Sequence, residues 1–216
     1  MSDSRLDLAA HTRRLIDLPA NSSDDDSPAV RRAADLVRRA VEEVEHNDGA
    51  GSAPRSSSWT ADERHHAHFR DYGPFTGRFS PMAPPIDLVQ HDDHVEGAVV
   101  YGRAFEGPPG FVHGGFVAAG FDEVLGFAQA LGPQPGMTGR LTVAYRSPTP
   151  LGEPVRYRAR VERYDGRKTV VLATLRVVAD DRLCAEAKGL FIAMHPQRRQ
   201  GLWPEEAGEG GQRQPA

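Results

Sequence analysis

The sequence predicts an α+β fold: one long helix wrapped by a six-stranded antiparallel sheet, preceded by a polar, partly helical extension. Two observations predict it. The first is an apolar run, Gly114 to Leu131, with no polar stripe to face water. A helix of that kind must be covered by other elements. The second is six strand-like segments, two before the run and four after it. Short turns at His91-Asp92-Asp93-His94, Asp165-Gly166 and Asp180-Asp181 join several of them, as antiparallel neighbours require.

The elements follow in order. Residues 1–72 are polar and rich in Arg and Asp, broken at 21–26 and 49–54 by loop-like Asn, Ser, Asp, Gly and Pro. Between these breaks Ser27-Pro28 opens a helix running to about Glu45, since Ser27 can cap it and Pro28 suits the first turn. Val30, Ala33, Ala34, Val37, Val41 and Val44 form one narrow stripe, so this helix needs something to dock on or stays partly ordered. The domain itself occupies residues 73–195. Ile86–Gln90 and Val95–Ala104 read as strands, the stiff loop Glu106–Gly110 follows, and then the apolar helix. Arg140–Arg146, Val155–Tyr164, Lys168–Val178 and Leu183–Met194 complete the sheet, with clear alternation at Leu141, Val143, Tyr145 and at Val155, Tyr157, Ala159, Val161. Ala185, Ala187 and Gly189 are small enough on one face to admit a close helix. Residues 196–216, rich in Gly, Glu, Gln and Pro, read as a flexible tail.

Composition excludes several classes. With 216 residues and a formal charge of −4 the chain is a poor nucleic-acid binder. A single cysteine, Cys184, leaves no intrachain disulfide and no multi-cysteine zinc site. Asp3 and Asp7 stand where a signal peptide would be basic then apolar, and Asp122 and Glu123 interrupt the one long apolar run, so no membrane span and a cytoplasmic location are expected. There is no G-x-S-x-G, P-loop, G-x-G-x-x-G or H-E-x-x-H motif. His65, His66 and His68, the hairpin pair His91 and His94, and Arg156, Arg158 and Arg160 all read as solvated surface rather than as ligand sites.

Two features carry chemistry. Gly110-Phe111-Val112-His113-Gly114-Gly115 runs straight into the apolar helix, where bare backbone N–H groups and the helix dipole suit a developing oxyanion. By spacing alone an ordinary glycine turn does equally well. Asp122 is sharper. A carboxylate inside an apolar run costs several kcal/mol unless paired, and acid–base or nucleophilic chemistry is one use that would keep it there. Glu123, one step round the helix, reads as a rim residue or an interface contact.

Phe105–Gly115 followed by Asp122, with Arg146-Ser147-Pro148-Thr149-Pro150-Leu151 and Ala185–Phe191 behind them, resembles the hotdog-fold acyl-CoA thioesterases of the PaaI type over residues 79–194. The resemblance implies hydrolysis of a CoA thioester to a free acid and CoA, with no cofactor and no metal. It makes Asp122 the catalytic base or nucleophile, Gly114 the N–H donor to the thioester carbonyl, His113 an orienter and Thr138 a helpful hydroxyl. Gly115 joins them as a substrate-binding backbone position. It implies a homodimer, or a homotetramer built as a dimer of dimers, with CoA bound between subunits. Spacing points the same way: Gly114 and Asp122 lie eight residues apart, about 12 Å along a helix, too far for one chain to bring both to one carbonyl. A hydratase reading fails because His113 precedes the helix and no Asn joins it. A non-catalytic acyl-CoA sensor, with the N-terminal helix as its output, is the alternative from another class.

Overall fold

A computed structural model of the chain describes residues 3–18, 27–47, 71–134 and 136–194. The tail and the histidines at 65, 66 and 68 lie outside them. Helices α1 (Ser4–Asp17) and α2 (Pro28–Asn47) precede strands β1 (Asp87–Gln90) and β2 (Val95–Val100). A 3-10 turn, Arg103–Phe105, leads through the glycine-rich loop to helix α3 (Gly114–Ala130). Strands β3 (Gly136–Tyr145), β4 (Pro154–Asp165), β5 (Lys168–Val177) and β6 (Leu183–Ala193) follow. They form one six-stranded antiparallel sheet in the order β1-β2-β4-β5-β6-β3, so β1 and β3 are its edges.

The predicted architecture is the observed one. Helix α3 lies on the sheet and presses Val117, Phe121, Val124, Leu125 and Ala128 against Val155, Tyr157, Ala159, Val171, Ala173, Leu175, Ala185 and Ala187. The small face on β6 does admit the helix closely: a Cβ at Gly189 would stand 3.3 Å from Leu125 Cδ1. Arg156, Arg158 and Arg160 alternate with buried neighbours on β4 and point to solvent. Cys184 is buried and free. Among the described residues no helix is long and apolar enough to cross a membrane.

Boundaries moved where polar contacts override the apolar pattern. The second strand stops at Val100 rather than Ala104, because the chain turns into the 3-10 segment once Tyr101 is buried. Strand β3 begins at Gly136, four residues early. There the buried Gln129 side chain both accepts from the Gly136 N–H (2.9 Å) and donates to its carbonyl (3.1 Å), pairing the backbone of a segment whose side chains look like loop. Helix α1 was not anticipated. Asp3 caps it by accepting from the Arg5 N–H, and it is tied to the domain at both the Arg13 guanidinium, which donates to the carbonyls of Arg78 and Ser80, and Asp17, which accepts from the Ala104 N–H. The stripe on α2 stays open to solvent in the single chain, Val41 being 50% exposed.

One pairing in the core has a testable consequence. The buried hydroxyls of Tyr101 and Tyr157 hydrogen-bond to each other at 2.8 Å against Gly120 of α3, and burial pushes both phenols above their ordinary range. A Cβ at Gly120 would overlap the Tyr157 hydroxyl and stand 2.9 Å from that of Tyr101. Tyr157 cannot retreat, since its ring packs edge-on against Phe121 with centroids 5.0 Å apart. Gly120→Ala is therefore expected to lower stability by about 1–3 kcal/mol in urea unfolding, whereas Gly126→Ala, whose Cβ meets only a Phe191 ring atom at 4.0 Å, should cost little.

Candidate active site

The loop before α3 is built to hold its first turn. The Glu106 carboxylate accepts from the Gly110 N–H at 2.7 Å, and this bond, more than Arg103 beside it, holds the acid below its usual pKa. The His113 N–H donates to the Phe105 carbonyl (2.9 Å) and the Val112 N–H to that of buried Thr149 (2.9 Å). The Arg146–Leu151 segment thus supports the loop from behind. Gly107 must be glycine for the chain to close, since a Cβ there would sit 2.7 Å from His113 Cα.

His113 is the N-cap of α3. Its Nδ1 accepts from the Gly115 N–H at 3.0 Å, so in the neutral ring the proton resides on Nε2. Of the two glycine N–H groups, that of Gly115 is engaged by its own cap. That of Gly114 is the first N–H of the helix, where no intrahelical acceptor exists and the dipole is positive. Two turns along, Asp122 accepts from the Thr138 hydroxyl at 2.9 Å. Thr138 is on β3, set there by the Gln129–Gly136 bonds. So the structure brings Thr138 to Asp122, and His113 to Gly115 and Gly114, but leaves one group at the N-terminus of α3 and the other at its middle, about two turns apart.

Neither group is sealed. Asp122 is exposed in the single chain, so the cost of burial that singled it out is not paid within one chain. Glu123, expected at the rim, is the more enclosed of the pair. Burial, then the adjacent Asp122 carboxylate, raises its pKa to about 7. The reason is rotation: consecutive helix residues point about 100° apart, and here the second turns inward toward Phe75. The folded chain holds the Glu123 proton more tightly than the unfolded chain, so the charged form costs stability once pH rises through about 7, and the cost shrinks toward the ordinary carboxylate range. Glu123→Gln should raise the thermal midpoint at pH 8 and progressively less as pH falls toward 5.

Tyr145 is the residue that sequence reading passed over. It marks the alternation of β3, yet its hydroxyl donates to the Gly114 carbonyl at 2.7 Å, and a Cβ at Gly114 would lie 3.3 Å from its ring. It is 54% exposed. Only an aromatic at the far end of the strand carrying Thr138 hinted at this. Strand β3 therefore touches α3 at both groups: Thr138 at the acid in mid-helix, Tyr145 at the glycines of the first turn. Tyr145→Phe keeps the ring and loses the bond that fixes the first peptide of the helix. If the Gly114 N–H serves a reaction, the change is expected to lower its kcat by about three- to tenfold with KM nearly unchanged.

Comparison with known proteins agrees with this architecture. Residues 109–188 match the thioesterase superfamily. The crystal structure of a thioesterase superfamily protein superposes with a TM-score of 0.75 and 31% identity, over 89% of this chain and 92% of that one. The chain belongs to the thioesterase superfamily, and its helix-in-sheet architecture is the hotdog fold, as the histidine-glycine-glycine segment and Asp122 led us to expect. Zebrafish thioesterase superfamily member 2 shares the fold at a TM-score of 0.53, with 18% identity over 63% of this chain and all of its own. Among curated proteins, the acyl-coenzyme A thioesterase THEM4 of Xenopus laevis is 40% identical over 95 residues, 44% of this chain and 43% of that protein. The Mus musculus THEM4 is 34% identical over 97 residues, 45% and 42%. The matches thus span less than half the length of these curated relatives.

Proposed function

We propose that the protein is an acyl-CoA thioesterase, hydrolysing a CoA thioester to a carboxylic acid and CoA in a site shared by two chains. The observation that carries it is the separation of two half-sites along α3: a polarising group at its N-terminus, His113 and Gly114, and a carboxylate at its middle, Asp122 with Thr138. The curated THEM4 relatives make the thioester the natural substrate class.

The supporting geometry is β3. It is one of the two edge strands of the sheet and, at ten residues, the longer, with exposed Met137 and Tyr145 near its ends. A long exposed edge invites pairing with another strand. A two-fold axis passing between Leu141 and Thr142 would pair two β3 strands antiparallel and set Thr138 of one opposite Tyr145 of the other. Asp122, bonded to Thr138, then approaches Gly114, bonded to Tyr145, across the interface. Such pairing would also cover the half-open side of α3 that carries Ala118, Ala119 and Asp122.

In that site the Gly114 N–H, with the helix dipole behind it, receives the thioester oxygen as it becomes an oxyanion. His113, held by its Nδ1, presents Nε2–H nearby. Asp122, oriented by Thr138, acts in one of two ways. As a base it takes a proton from water while the water oxygen bonds to the carbonyl carbon. As a nucleophile it forms an anhydride that water then opens. Either way the carbon–sulfur bond breaks, the thiolate leaves as CoA and takes up a proton, and the acyl group leaves as carboxylate. The test is incubation with acyl-CoAs and a thiol-reactive dye. Continuous thiol release supports the proposal; tight binding without turnover would make the protein a sensor.

A further inference from the structure

At the sheet edge far from β3, the β1–β2 hairpin gathers three side chains with metal-binding chemistry. His91, His94 and Glu96 each bring a ring nitrogen or carboxylate oxygen within 4.8 Å of the others. The sequence marked the two histidines as surface; the hairpin adds Glu96 and, on the other side of His94, Asp93. The pattern is more ordered than a chance cluster. His94 is 12% exposed at its side chain, and its Nδ1 lies 2.6 Å from Asp93 Oδ1. An acid on Nδ1 keeps the proton there and leaves the Nε2 lone pair free, the arrangement that commonly orients a histidine toward a metal. That Nε2 faces Glu96 Oε1 at 3.5 Å. Two electron-rich atoms so placed need a cation between them, a proton or a metal ion. Ligands held 2.0–2.2 Å from a tetrahedral ion lie about 3.3–3.6 Å apart, so this pair already spans one edge of such a site.

His91 supplies the third ligand. Its ring stacks on that of His94, centroids 4.4 Å apart. It is exposed, so it can turn out of the stack without displacing packed atoms. Asp92, Asp93 and Glu96 give the tip negative charge, against which Arg158, opposite Glu96 on β4, is the facing cation. We propose that His91, His94 and Glu96 bind one divalent transition-metal ion of the zinc type, with Asp93 as the positioning acid and the fourth position left to water. Two imidazoles and one carboxylate suit zinc and not magnesium or calcium, which take all-oxygen sites. The site lies apart from α3 and would pin β1, a four-residue edge strand whose sheet partner is β2.

Calorimetric titration of the full chain with zinc chloride at pH 7.5 tests this, with folding of every variant checked by circular dichroism. Binding should weaken at least tenfold in His94→Ala and in Glu96→Gln. It should weaken about tenfold or more in Asp93→Asn, whose ligands are intact. Millimolar magnesium should not compete. Zinc should raise the thermal midpoint of the wild type and not of His94→Ala. A variant with His65, His66 and His68 all replaced by Ala should keep the site. The proposal is overturned if the folded wild type binds no zinc, in which case a proton fills the His94–Glu96 gap, or if binding survives in both His94→Ala and Glu96→Gln.

Discussion

Asp122→Ala is expected to reduce thioester turnover by at least about a hundredfold, the loss typical of a removed acid–base group, and by more if Asp122 is the nucleophile. Its stability should hold. The carboxylate is exposed, and the substitution removes only its hydrogen bond from the Thr138 hydroxyl, worth about 1 kcal/mol. CoA binding should survive as well, since in the proposed site the acid meets the reacting carbon rather than the nucleotide. Steady-state thiol release, read beside a thermal melt and CoA titration of the same sample, checks all three. Near-wild-type turnover in a folded variant would remove Asp122 from the mechanism. Thr138→Val offers a graded companion, because the acid remains and only its orientation is disturbed.

Much of this was legible in the sequence, for identifiable reasons. The strands at Val155–Tyr164 and Leu183–Met194 were found almost to the residue because strict alternation survives wherever one sheet face packs on α3 and the other meets water. The apolar helix was found because nothing else in the chain is apolar on every side. What was missed depended on interactions between distant residues. Tyr145 acquires its role from Gly114, thirty-one positions back. Gln129 looks like an ordinary polar residue at a helix end, yet it starts β3 by pairing with both backbone groups of Gly136. Helix α1 escaped because only Ala9 is buried on it and no stripe marks its face. Asp122 and Glu123 show the limit most plainly. Adjacent acids in one apolar run look alike in sequence, and only the helix's rotation on the sheet decides that the first meets solvent and Thr138 while the second is enclosed.

The central claim is that each site is assembled from two chains, and complementation between two inactive variants tests it most directly. One variant is Asp122→Ala. The other is Gly114→Pro, which removes the donor N–H. Proline suits the first position of a helix, and His113 before it is already extended at φ −61° and ψ 132°, as a residue preceding proline must be. The exposed Tyr145 ring, 3.3 Å from where a Cβ would stand, has only to move slightly. Each variant alone should be nearly inactive. In a mixed dimer one site carries both lesions and the other carries neither. Half of randomly mixed dimers are of this kind and half of their sites are intact, so roughly a quarter of wild-type activity should return. If the subunits demonstrably exchange and no activity returns, both groups act within one chain and the shared-site account is wrong.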